Sequence, residues 1–403
     1  MTGTLGYVTP VRAYSSAGEL YMQSASGRVA EALASHFDKV LLCASVAFEA
    51  PAAPFDPPLD APNVELVAQP PWRTTAESFL HFRGIARAYA QTCRWSDVLF
   101  VRGMCPYTAM LYLCAAIFRR PICHWIVGDP VTLLRADKRN GTMLDGLALL
   151  YALQDRLVTR VGRWLTGGAL ICNGKELARV YASLRTTAVV SSTIRENEFF
   201  PRADTCNGPT VRILFVGFIR PEKGIEYLIE AACQLHSNIP WELEIVGQRE
   251  FPDYAKKLDA IADVRGIRGR IRWRGYIPNG QSLWDCMRAA DLLVLPTLSE
   301  GTPHVLVEAR ANGLPCISTT VGGVPSTVTD GYDALLVPPK DAPALAQAIE
   351  RVVGDAELRR KLIRGGLVAA RQQTLEHFVA VVLGELVPNA HAQTAEALRE
   401  HGR

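Results

Sequence analysis

The chain has 403 residues, of which 49% are hydrophobic, 21% charged and 8% aromatic. This length exceeds one compact core and predicts two domains, and the composition excludes a disordered, collagen-like or coiled-coil protein. The formal net charge of +3 is too small to indicate binding to nucleic acid, so no nucleic-acid partner is predicted.

The amino-terminal half alternates short apolar runs with segments of helical period, which predicts a first α/β domain over residues 1–200. Its predicted strands are TLGYV, KVLLC, DVLFV, ICHWIV, GALIC and AVV. The helices between them include SGRVAEALASHF and YTAMLYLCAAIF. Prolines crowd residues 50–72, so part of that segment is predicted to be an irregular surface loop.

The carboxyl-terminal half repeats the alternation more regularly and predicts a doubly wound α/β domain over residues 210–370. Its predicted strands are ILFVG, ELEIVG, IRWRG, DLLVLP, PCISTT and ALLVP. Strands that are apolar on both faces and separated by helices belong to a parallel sheet covered on both sides. The breakers of PRADTCNGP predict a linker at 201–209, and a helix at 371–387, able to pack on either domain, precedes a polar tail at 388–403.

In such folds ligands bind beyond the carboxyl ends of the strands, and LLVLPTLSEGTPHVLVEARANG (292–313) has a suitable loop there. Thr302 is predicted to cap the helix that follows, and Pro303 to occupy its first position. The backbone amides and dipole of that first turn predict a site for a phosphate. The residues of this predicted site are Gly301, Thr302, Pro303, His304 and Val305.

Two glutamates flank this helix start. Glu300 precedes the helix, and Glu308 lies about 8 Å further along by helical rise, a separation on the scale of a diphosphate and a ribose. Carboxylates beside an anion site are suited to binding the hydroxyl groups of sugars. The alternative from spacing alone is a favourable charge at a helix start and a solvated helix face.

A second loop follows the strand ILFVG. In ILFVGFIRPEKG the strand runs into Gly217, and Arg220 and Lys223 then supply two cations. This combination is suited to a diphosphate and to the charge that grows on a departing phosphate. The alternative is a solvated basic turn with Glu222 as its partner.

A third loop is VGGVPS (321–326). Gly323 and its neighbour Gly322 would let the backbone approach a ligand closely. An ordinary tight turn has the same composition, so both interpretations stay open.

The order and spacing of these parts resemble the GT-B glycosyltransferases of family 4, the glycosyl transferases group 1. The most specific element is the E-x7-E pattern, here EGTPHVLVE (300–308), followed by ARANGLPCISTTVGGVP. The resemblance covers residues 211–353 well and the amino-terminal half loosely. It implies an α/β protein of GT-B fold, in which two Rossmann-like doubly wound domains face each other across a cleft that holds the donor, the first domain being on the acceptor side.

The resemblance also implies roles for the residues of the site. Glu300 would lie near the donor sugar, Glu308 on the ribose, and Arg220 and Lys223 on the diphosphate. Family members generally retain the anomeric configuration and need no metal, and the sequence has no D-x-D triplet to hold a divalent cation. We therefore expect neither a metal nor a cofactor.

The donor side departs from the family pattern at two positions. Phe218 stands where an arginine is usual, so Arg220 would have to take over its role. Pro303 replaces a common glycine and donates no amide. Tyr276 and Ile277, at the end of IRWRGYI, are candidate walls for the base of the nucleotide, with a place in the core as the alternative.

The acceptor side departs further. The family's glycine-rich loop after the first strand is reduced to SSAG (15–18), in which Ser16 is the candidate contact. The common His-Asp pair near the fourth strand is Gly128-Asp129, and Asp129 is a candidate for orienting an acceptor hydroxyl. A loop or capping role for Asp129 is the alternative.

These features together predict a retaining hexosyltransferase that moves a sugar from a nucleotide-diphosphate-sugar donor to a glycan, lipid-linked or small-molecule acceptor. Two alternatives use the same diphosphate cradle. One is a sugar-nucleotide epimerase of the GT-B plan, and the other is a protein that binds nucleotide sugars without catalysis.

The segment LLYALQDRLVTRVGRWL (149–165) is the candidate for contact with a membrane. Its arginines Arg156, Arg160 and Arg163 fall on one helical face, and its apolar bulk comes from Leu150, Leu153, Leu157, Val161 and Trp164. Such a helix can lie on an anionic surface, and a helix with a solvated basic face is the alternative. Ten scattered cysteines without a CxxC pair and an amino terminus without a secretory signal predict a cytoplasmic protein, with the inner membrane face as a peripheral location.

Overall fold

The structure is a computed structural model that describes residues 2–51, 57–128, 131, 143–182, 186–236 and 240–386, without the side chains of 24, 25 and 143–145. Its contacts divide into two compact units. Unit 1 takes the described residues up to Val189 and from Glu376 onward, and unit 2 spans Val190–Leu375. Each unit is an α/β fold built on its own sheet.

The sheet of unit 1 is parallel apart from one hairpin. Its strands are β1 (Thr4–Val8), β2 (Ala13–Ser16), β3 (Glu19–Met22), β4 (Lys39–Ala47), β5 (Val64–Gln69), β6 (Val98–Arg102), β7 (Ile122–Ile126), β8 (Ala169–Asn173) and β9 (Thr186–Val189). They lie in the order β3-β2-β4-β1-β6-β7-β8-β9, with β5 paired to β4. The sequence predicted these strands except β5 and the antiparallel hairpin β2–β3, which joins the carboxyl end of β4 by pairing Ala13 with Val46.

The helices of unit 1 include one that returns from the far end of the chain. They are α1 (Ser24–Ala34), α2 (Thr75–Ser78), α3 (Phe82–Trp95), α4 (Thr108–Ile117), α5 (Met143–Thr166), α6 (Lys175–Val180) and α14 (Leu375–Leu386). Phe378 of α14 is fully buried against the rings of Phe100 and Trp125. The helix predicted at 371–387 therefore packs on unit 1, while the tail predicted from 388 lies outside the described residues.

Unit 2 has the doubly wound architecture that its sequence predicts. Its strands are β10 (Val211–Val216), β11 (Trp241–Val246), β12 (Ile271–Gly275), β13 (Leu292–Leu295), β14 (Cys316–Thr319) and β15 (Leu335–Val337). Its helices are α7 (Ile225–Gln234), α8 (Pro252–Val264), α9 (Gln281–Ala289), α10 (His304–Ala311), α11 (Val324–Thr327), α12 (Ala342–Gly354) and α13 (Ala356–Arg371). The strand pairs are parallel, and β13 and β14 are buried along their whole length, as expected of strands covered on both faces.

The boundary between the units lies upstream of the linker predicted at 201–209. Ile194 already belongs to the core of unit 2. Arg202, inside the predicted linker, donates hydrogen bonds to the carbonyl oxygens of Met287, Arg288, Ala290 and Asn312, which end α9 and α10. The segment has the composition of a linker, but a guanidinium that satisfies helix carbonyls ties it to unit 2.

The described part of the chain has no helix suited to spanning a membrane. No helix there combines the length and the apolar character that crossing a bilayer requires.

Candidate functional site

The strand order of unit 2 reverses between β10 and β13. The sheet runs β12-β11-β10-β13-β14-β15, so β10 and β13 are neighbours whose chains continue in opposite directions across the sheet. This is the topological switch point, where open α/β sheets form a crevice beyond the carboxyl ends of their strands. The loop after β10 carries Gly217, Arg220 and Lys223, and the loop after β13 carries Glu300 and Gly301.

An ion pair joins these two loops. Lys223 Nζ lies 2.5 Å from Glu300 Oε2, and the two side chains are 17% and 14% exposed. The backbones are also linked, because the Leu298 amide donates to the Glu222 carbonyl at 2.8 Å. Gly224 has φ of +62°, and a Cβ there would lie 2.4 Å from the Pro296 carbonyl oxygen. The sequence predicted both charged side chains, and the structure brings them into direct contact.

Arg220 lies at the same switch point with partners of its own. Two of its guanidinium nitrogens contact the Glu250 carboxylate, and Glu222 Oε1 lies 3.7 Å from a third. The guanidinium carbon lies 5.0 Å from the centre of the Phe218 ring. Phe218, the departure from the family pattern, is thus the aromatic surface on which Arg220 rests. Glu250 gave no signal in the sequence.

Gly322 and Gly323 pack against the backbone of the loop after β13. Built on their backbones, Cβ atoms would lie 2.0 Å from the Glu300 carbonyl oxygen and 1.9 Å from that of Gly301. The Gly323 amide donates to the Glu300 carbonyl at 3.1 Å. The close approach that these glycines allow is therefore to the protein's own backbone, and its effect is to brace the segment that carries Glu300.

The start of α10 differs from the predicted cap. Helix α10 begins at His304, Pro303 is the residue before it, and no side chain caps it. The Thr302 hydroxyl is buried without a hydrogen-bond partner in the described part of the chain. The Leu306 amide donates to the Pro303 carbonyl at 3.1 Å, which leaves the amides of His304 and Val305 as the first-turn donors not used in this way.

Glu308 is 4% exposed, so it does not lie on a solvated helix face. Its Oε1 accepts a hydrogen bond from the Thr193 hydroxyl and another from Asn279 Nδ2 at 3.1 Å. Two residues further along the helix, the buried Arg310 pairs with Asp333 and donates from Nε to the Leu306 carbonyl, which fixes α10. Thr193 and Asn279 were not predicted, because their contacts with Glu308 are distant in sequence.

Tyr276 and Ile277 lie in the segment between β12 and α9, as does Asn279. Both side chains are half-buried, and Ile277 packs against the core of unit 2. This packing agrees with the core alternative for Ile277, and its role as a wall of the base pocket stays a prediction. Tyr276 remains a prediction for the base pocket.

The predicted contacts in unit 1 have a different setting. Ser16 ends β2, and Ala17 and Gly18, with φ of +52° and +83°, form a two-residue turn into β3. SSAG is therefore a hairpin turn and not a loop between the first strand and the first helix. Asp129 lies outside the described residues.

A cavity of about 600 Å³ opens in unit 1 at the ends of β1, β4 and β5. Its lining residues are Pro10, Arg12, Tyr14, Glu49, Ala50, Trp72 and Arg73. Arg12 Nε is buried there without a hydrogen-bond partner among the described residues. Tyr14 lies in β2 and the other lining residues follow β1, β4 and β5, so no local motif predicts the cavity.

His124 belongs to the core of unit 1. It is fully buried, with Nδ1 2.9 Å from the Tyr112 hydroxyl and Nε2 2.8 Å from the Gly103 carbonyl oxygen. Burial lowers its pKa to about 4, so it is neutral at physiological pH. The described residues contain no group of three His, Cys, Asp or Glu side chains placed to hold a metal ion.

Residues 197–367 match the family Glycosyl transferases group 1. The chain is 33% identical over 152 residues to alpha-D-kanosaminyltransferase of Streptomyces kanamyceticus, which is 37% of this chain and 38% of that protein. It is 31% identical over 172 residues to D-inositol 3-phosphate glycosyltransferase of Jonesia denitrificans, covering 41% of this chain and 40% of that protein. The matches thus span about two fifths of these curated relatives.

Solved structures resemble the chain over nearly its whole length. Sucrose-phosphate synthase from Thermosynechococcus elongatus superposes with a TM-score of 0.69 at 18% identity, covering 98% of both chains. Alr3699/HepE of Anabaena, solved in complex with UDP, superposes with a TM-score of 0.66 at 16% identity, covering 98% of this chain and all of that one. At such identities the likeness bears on the fold, and it confirms two Rossmann-like domains of the GT-B type.

Proposed function

We propose that this chain, whose carboxyl-terminal domain belongs to the glycosyl transferases group 1, transfers a hexose from a nucleotide-diphosphate sugar to an acceptor with retention of the anomeric configuration. The observation that carries the proposal is the Lys223–Glu300 pair at the switch point of unit 2. It sets a cation and a carboxylate 2.5 Å apart in the loops that follow β10 and β13, the second of which leads into α10. A nucleotide sugar presents the complementary groups, a diphosphate and sugar hydroxyls.

A bound diphosphate would pair with the cations of the site in place of their carboxylate partners. In the structure, Lys223 pairs with Glu300 and Arg220 pairs with Glu250. A bound diphosphate would replace both carboxylates, with the first-turn amides of α10 as further donors. Glu300, released from Lys223, would then accept hydrogen bonds from the donor sugar.

Catalysis would follow from the charge that develops on the leaving group. The bond between the anomeric carbon and the phosphate oxygen breaks, the acceptor oxygen bonds to that carbon, and a nucleoside diphosphate departs. Lys223 and Arg220 would stabilise the departing anion, and loss of one such preorganised donor typically costs about 3–4 kcal/mol of barrier. For retention, the acceptor attacks on the face that the diphosphate leaves, and the departing phosphate oxygen takes the acceptor proton.

Glu308 would bind the ribose hydroxyls. Its carboxylate is buried and already accepts from one hydroxyl, that of Thr193, and from the Asn279 amide. Since a carboxylate has room for several hydrogen bonds, ribose hydroxyls can add to these partners or replace Thr193. Asn279 would hold the carboxylate in position.

For the acceptor we propose the unit 1 cavity lined by Arg12, Trp72 and Arg73. Two guanidinium groups, set against the single carboxylate of Glu49, favour a sugar or lipid-linked acceptor that carries an acidic group. The test is product formation with matched acceptors that differ only in a phosphate or carboxylate. We expect Arg12→Ala and Arg73→Ala to raise KM for the acidic acceptor more than for the neutral one.

The experiment for the activity itself uses UDP-glucose as the first donor, because UDP-glucose is bound in one solved relative of this fold. Released UDP and the anomeric configuration of the product are measured for the wild type, Glu300→Ala and Lys39→Ala. Lys39 pairs with Glu65 at 2.7 Å on the surface of unit 1 and serves as the matched control. We expect a hundred-fold or greater loss for Glu300→Ala alone. An inverted product would refute retention, and an isomerised donor without free UDP would favour the epimerase instead.

A further inference from the structure

Unit 1 has a switch point of its own, between β1 and β6. Its sheet contains the order β4-β1-β6-β7, so the chain continues from β1 toward β4 and from β6 toward β7, in opposite directions across the sheet. Open α/β sheets form a crevice at such a point, beyond the carboxyl ends of the strands. Strand β6 ends in Arg102, which pairs in register with Trp125 of β7. The guanidinium carbon of Arg102 lies 5.3 Å from the centre of the Trp125 ring.

Two hydrogen-bond donors at this point lack acceptors in the described part of the chain. Arg102 Nε and Trp125 Nε1 are both buried there without a hydrogen-bond partner. Trp125 is 0% exposed, whereas Arg102 is half-buried and reaches the surface of the unit. A guanidinium and an indole N–H can only donate, and a buried donor without an acceptor keeps its full desolvation cost. The two groups therefore require acceptor atoms that the described residues do not supply.

Further polar groups lie near Arg102 on the side of β1. The Tyr7 side chain is fully buried, and the hydroxyls of Thr9 and Ser26 lie near its own hydroxyl. Burial raises the pKa of Tyr7 to about 12, and the positive charge of Arg102 acts in the opposite direction. Ser26 belongs to the first turn of α1, whose N-cap Gln23 makes no side-chain capping hydrogen bond. The amides that begin α1 are therefore additional donors near the same point.

Other buried arginines of the chain show what kind of acceptor is expected. Arg310 pairs with Asp333, and Arg359 pairs with Asp204 at 2.9 Å, so each has a carboxylate as its partner. For Arg102 Nε the described side chains supply no such group. A phosphate or carboxylate from a ligand would supply it, because its oxygens can accept two parallel hydrogen bonds from a guanidinium.

We propose that Arg102 and Trp125 form a binding site for an anionic group, a phosphate or a carboxylate, at the switch point of unit 1. The guanidinium would bind the oxygens of this group, with the indole N–H and the neighbouring hydroxyls as further donors. The cavity proposed above for the acceptor is adjacent, since its Pro10 lies 3.9 Å from the position of a Cβ on Gly103, the residue after Arg102. The group can therefore be free phosphate or an acidic group of the acceptor, and only in the second case does the inference rest on the proposed function.

The test is an NMR titration of the full chain, labelled in its tryptophan indole nitrogens, with inorganic phosphate at constant ionic strength. The indole signal of Trp125, assigned by its absence from Trp125→Phe, reports on unit 1 even where phosphate also binds in unit 2. We expect a saturable shift of this signal in the wild type, with an affinity about tenfold or more weaker in Arg102→Gln. The matched control is Arg94→Gln, because the Arg94 guanidinium carbon also lies 5.3 Å from a tryptophan ring, that of the exposed Trp95. This control should bind phosphate like the wild type.

Two results overturn the proposal. One is a Trp125 signal that does not respond to phosphate in the wild type, and the other is equal affinity in the wild type and a folded Arg102 variant. If Arg102→Gln does not fold, as judged by its remaining indole signals, Arg102→Lys takes its place. Arg102→Lys should also bind phosphate more weakly than the wild type, because an ammonium group lacks the planar fork of a guanidinium.

The source of the anionic group follows from acceptor kinetics. If Arg102→Gln raises KM for an acidic acceptor and not for its neutral counterpart, the group belongs to the acceptor. Phosphate binding without this effect on KM supports a site for a free anion. Because the titration contains neither donor nor acceptor, its failure would leave the proposed sugar transfer untouched, and an absence of sugar transfer would leave the phosphate result unchanged.

Discussion

The two units of this protein differ in how their charged side chains are paired. At the switch point of unit 2, Lys223 faces Glu300 and Arg220 faces Glu250, and Arg310 faces Asp333 behind them. In unit 1, Arg12 and Arg73 line a cavity together with Glu49, and the carboxylate of Asp155 is desolvated elsewhere in the unit. These charges of unit 2 are paired within the unit, and an anionic ligand would bind Lys223 and Arg220 by replacing their carboxylate partners. The unit 1 cavity instead combines two arginines with one carboxylate, that of Glu49.

The largest effect is expected from breaking the buried pair of unit 2. Arg310 and Asp333 have side chains 0% and 3% exposed. Asp333→Leu would leave a buried guanidinium unpaired, and we expect a loss of about 3–5 kcal/mol in the unfolding free energy of unit 2. Calorimetric unfolding measures it. Glu176→Ala, which breaks an exposed pair with Arg179, should change stability by less than about 1 kcal/mol. Equal effects of the two substitutions would contradict the account.

Replacing the desolvated carboxylate of Asp155 in unit 1 should raise the free energy of unfolding at neutral pH instead of lowering it. Burial raises the pKa of Asp155 from 3.8 to about 6. The folded state therefore binds the proton more tightly than the unfolded chain, and stability from this group is present below about pH 4 and lost as the pH rises through 6. We expect Asp155→Asn to stabilise unit 1 by about 2–3 kcal/mol at neutral pH, and not at about pH 4.

The measurement is thermal unfolding of this variant at both pH values. Glu65→Gln, which alters an exposed carboxylate of the same unit, is the control and should show little difference between them. A variant less stable than the wild type at neutral pH would show that the hydrogen bond with Thr108 outweighs the cost of desolvating the carboxylate, and the contrast between the units would be lost.

A smaller loss of stability is expected for Gly323, which packs against the segment that carries Glu300. Gly323→Ala places a methyl group against the Gly301 carbonyl oxygen, and we expect a loss of about 1–3 kcal/mol together with weaker ligand binding, since Glu300 must shift. Gly354→Ala, where a Cβ meets no atom within 4 Å, should be neutral. If Gly323→Ala is also neutral, the loop after β13 can shift to accommodate a methyl group, which would contradict a fixed position for Glu300.

The smallest expected effect concerns Asn279. Asn279→Ala removes one hydrogen bond to Glu308, worth about 0.5–1.5 kcal/mol, and should weaken nucleoside diphosphate affinity about threefold to tenfold. If the affinity for inorganic diphosphate, which has no ribose, is unchanged, the loss is specific to the ribose. An equal loss for both ligands would show that Asn279 does not act through Glu308.

The sequence was most informative in unit 2. Its central strands β13 and β14 are runs buried on both faces, so composition alone delimits them. The spacing of Glu300 and Glu308 is likewise a local property of one loop and helix. What it could not provide are contacts between distant segments. Glu250 beside Arg220, Asn279 and Thr193 beside Glu308, and the attachment of 201–209 to unit 2 all depend on such contacts.

In unit 1 local patterns were less reliable. The hairpin β2–β3 turns through Ala17-Gly18, which lacks the Asn-Gly or Asp-Gly signal of such turns. Helix α5 has the apolar period of an amphipathic helix, but Gly162, Ala152 and Thr159 supply the close-packed face and the leucines lie outside. The spacing of apolar residues indicates that a helix has two different faces. Which face is buried depends on the side chains of the neighbouring elements.

The most direct test of the central claim is calorimetric titration of UDP, GDP and ADP into the wild type, Lys223→Ala and Lys39→Ala. We expect at least one nucleoside diphosphate to bind the wild type and Lys39→Ala equally, and to bind Lys223→Ala about ten- to a hundred-fold more weakly, as loss of a charge-assisted hydrogen bond requires. Undiminished binding to a correctly folded Lys223→Ala variant would contradict a diphosphate site at the junction of Lys223 and Glu300.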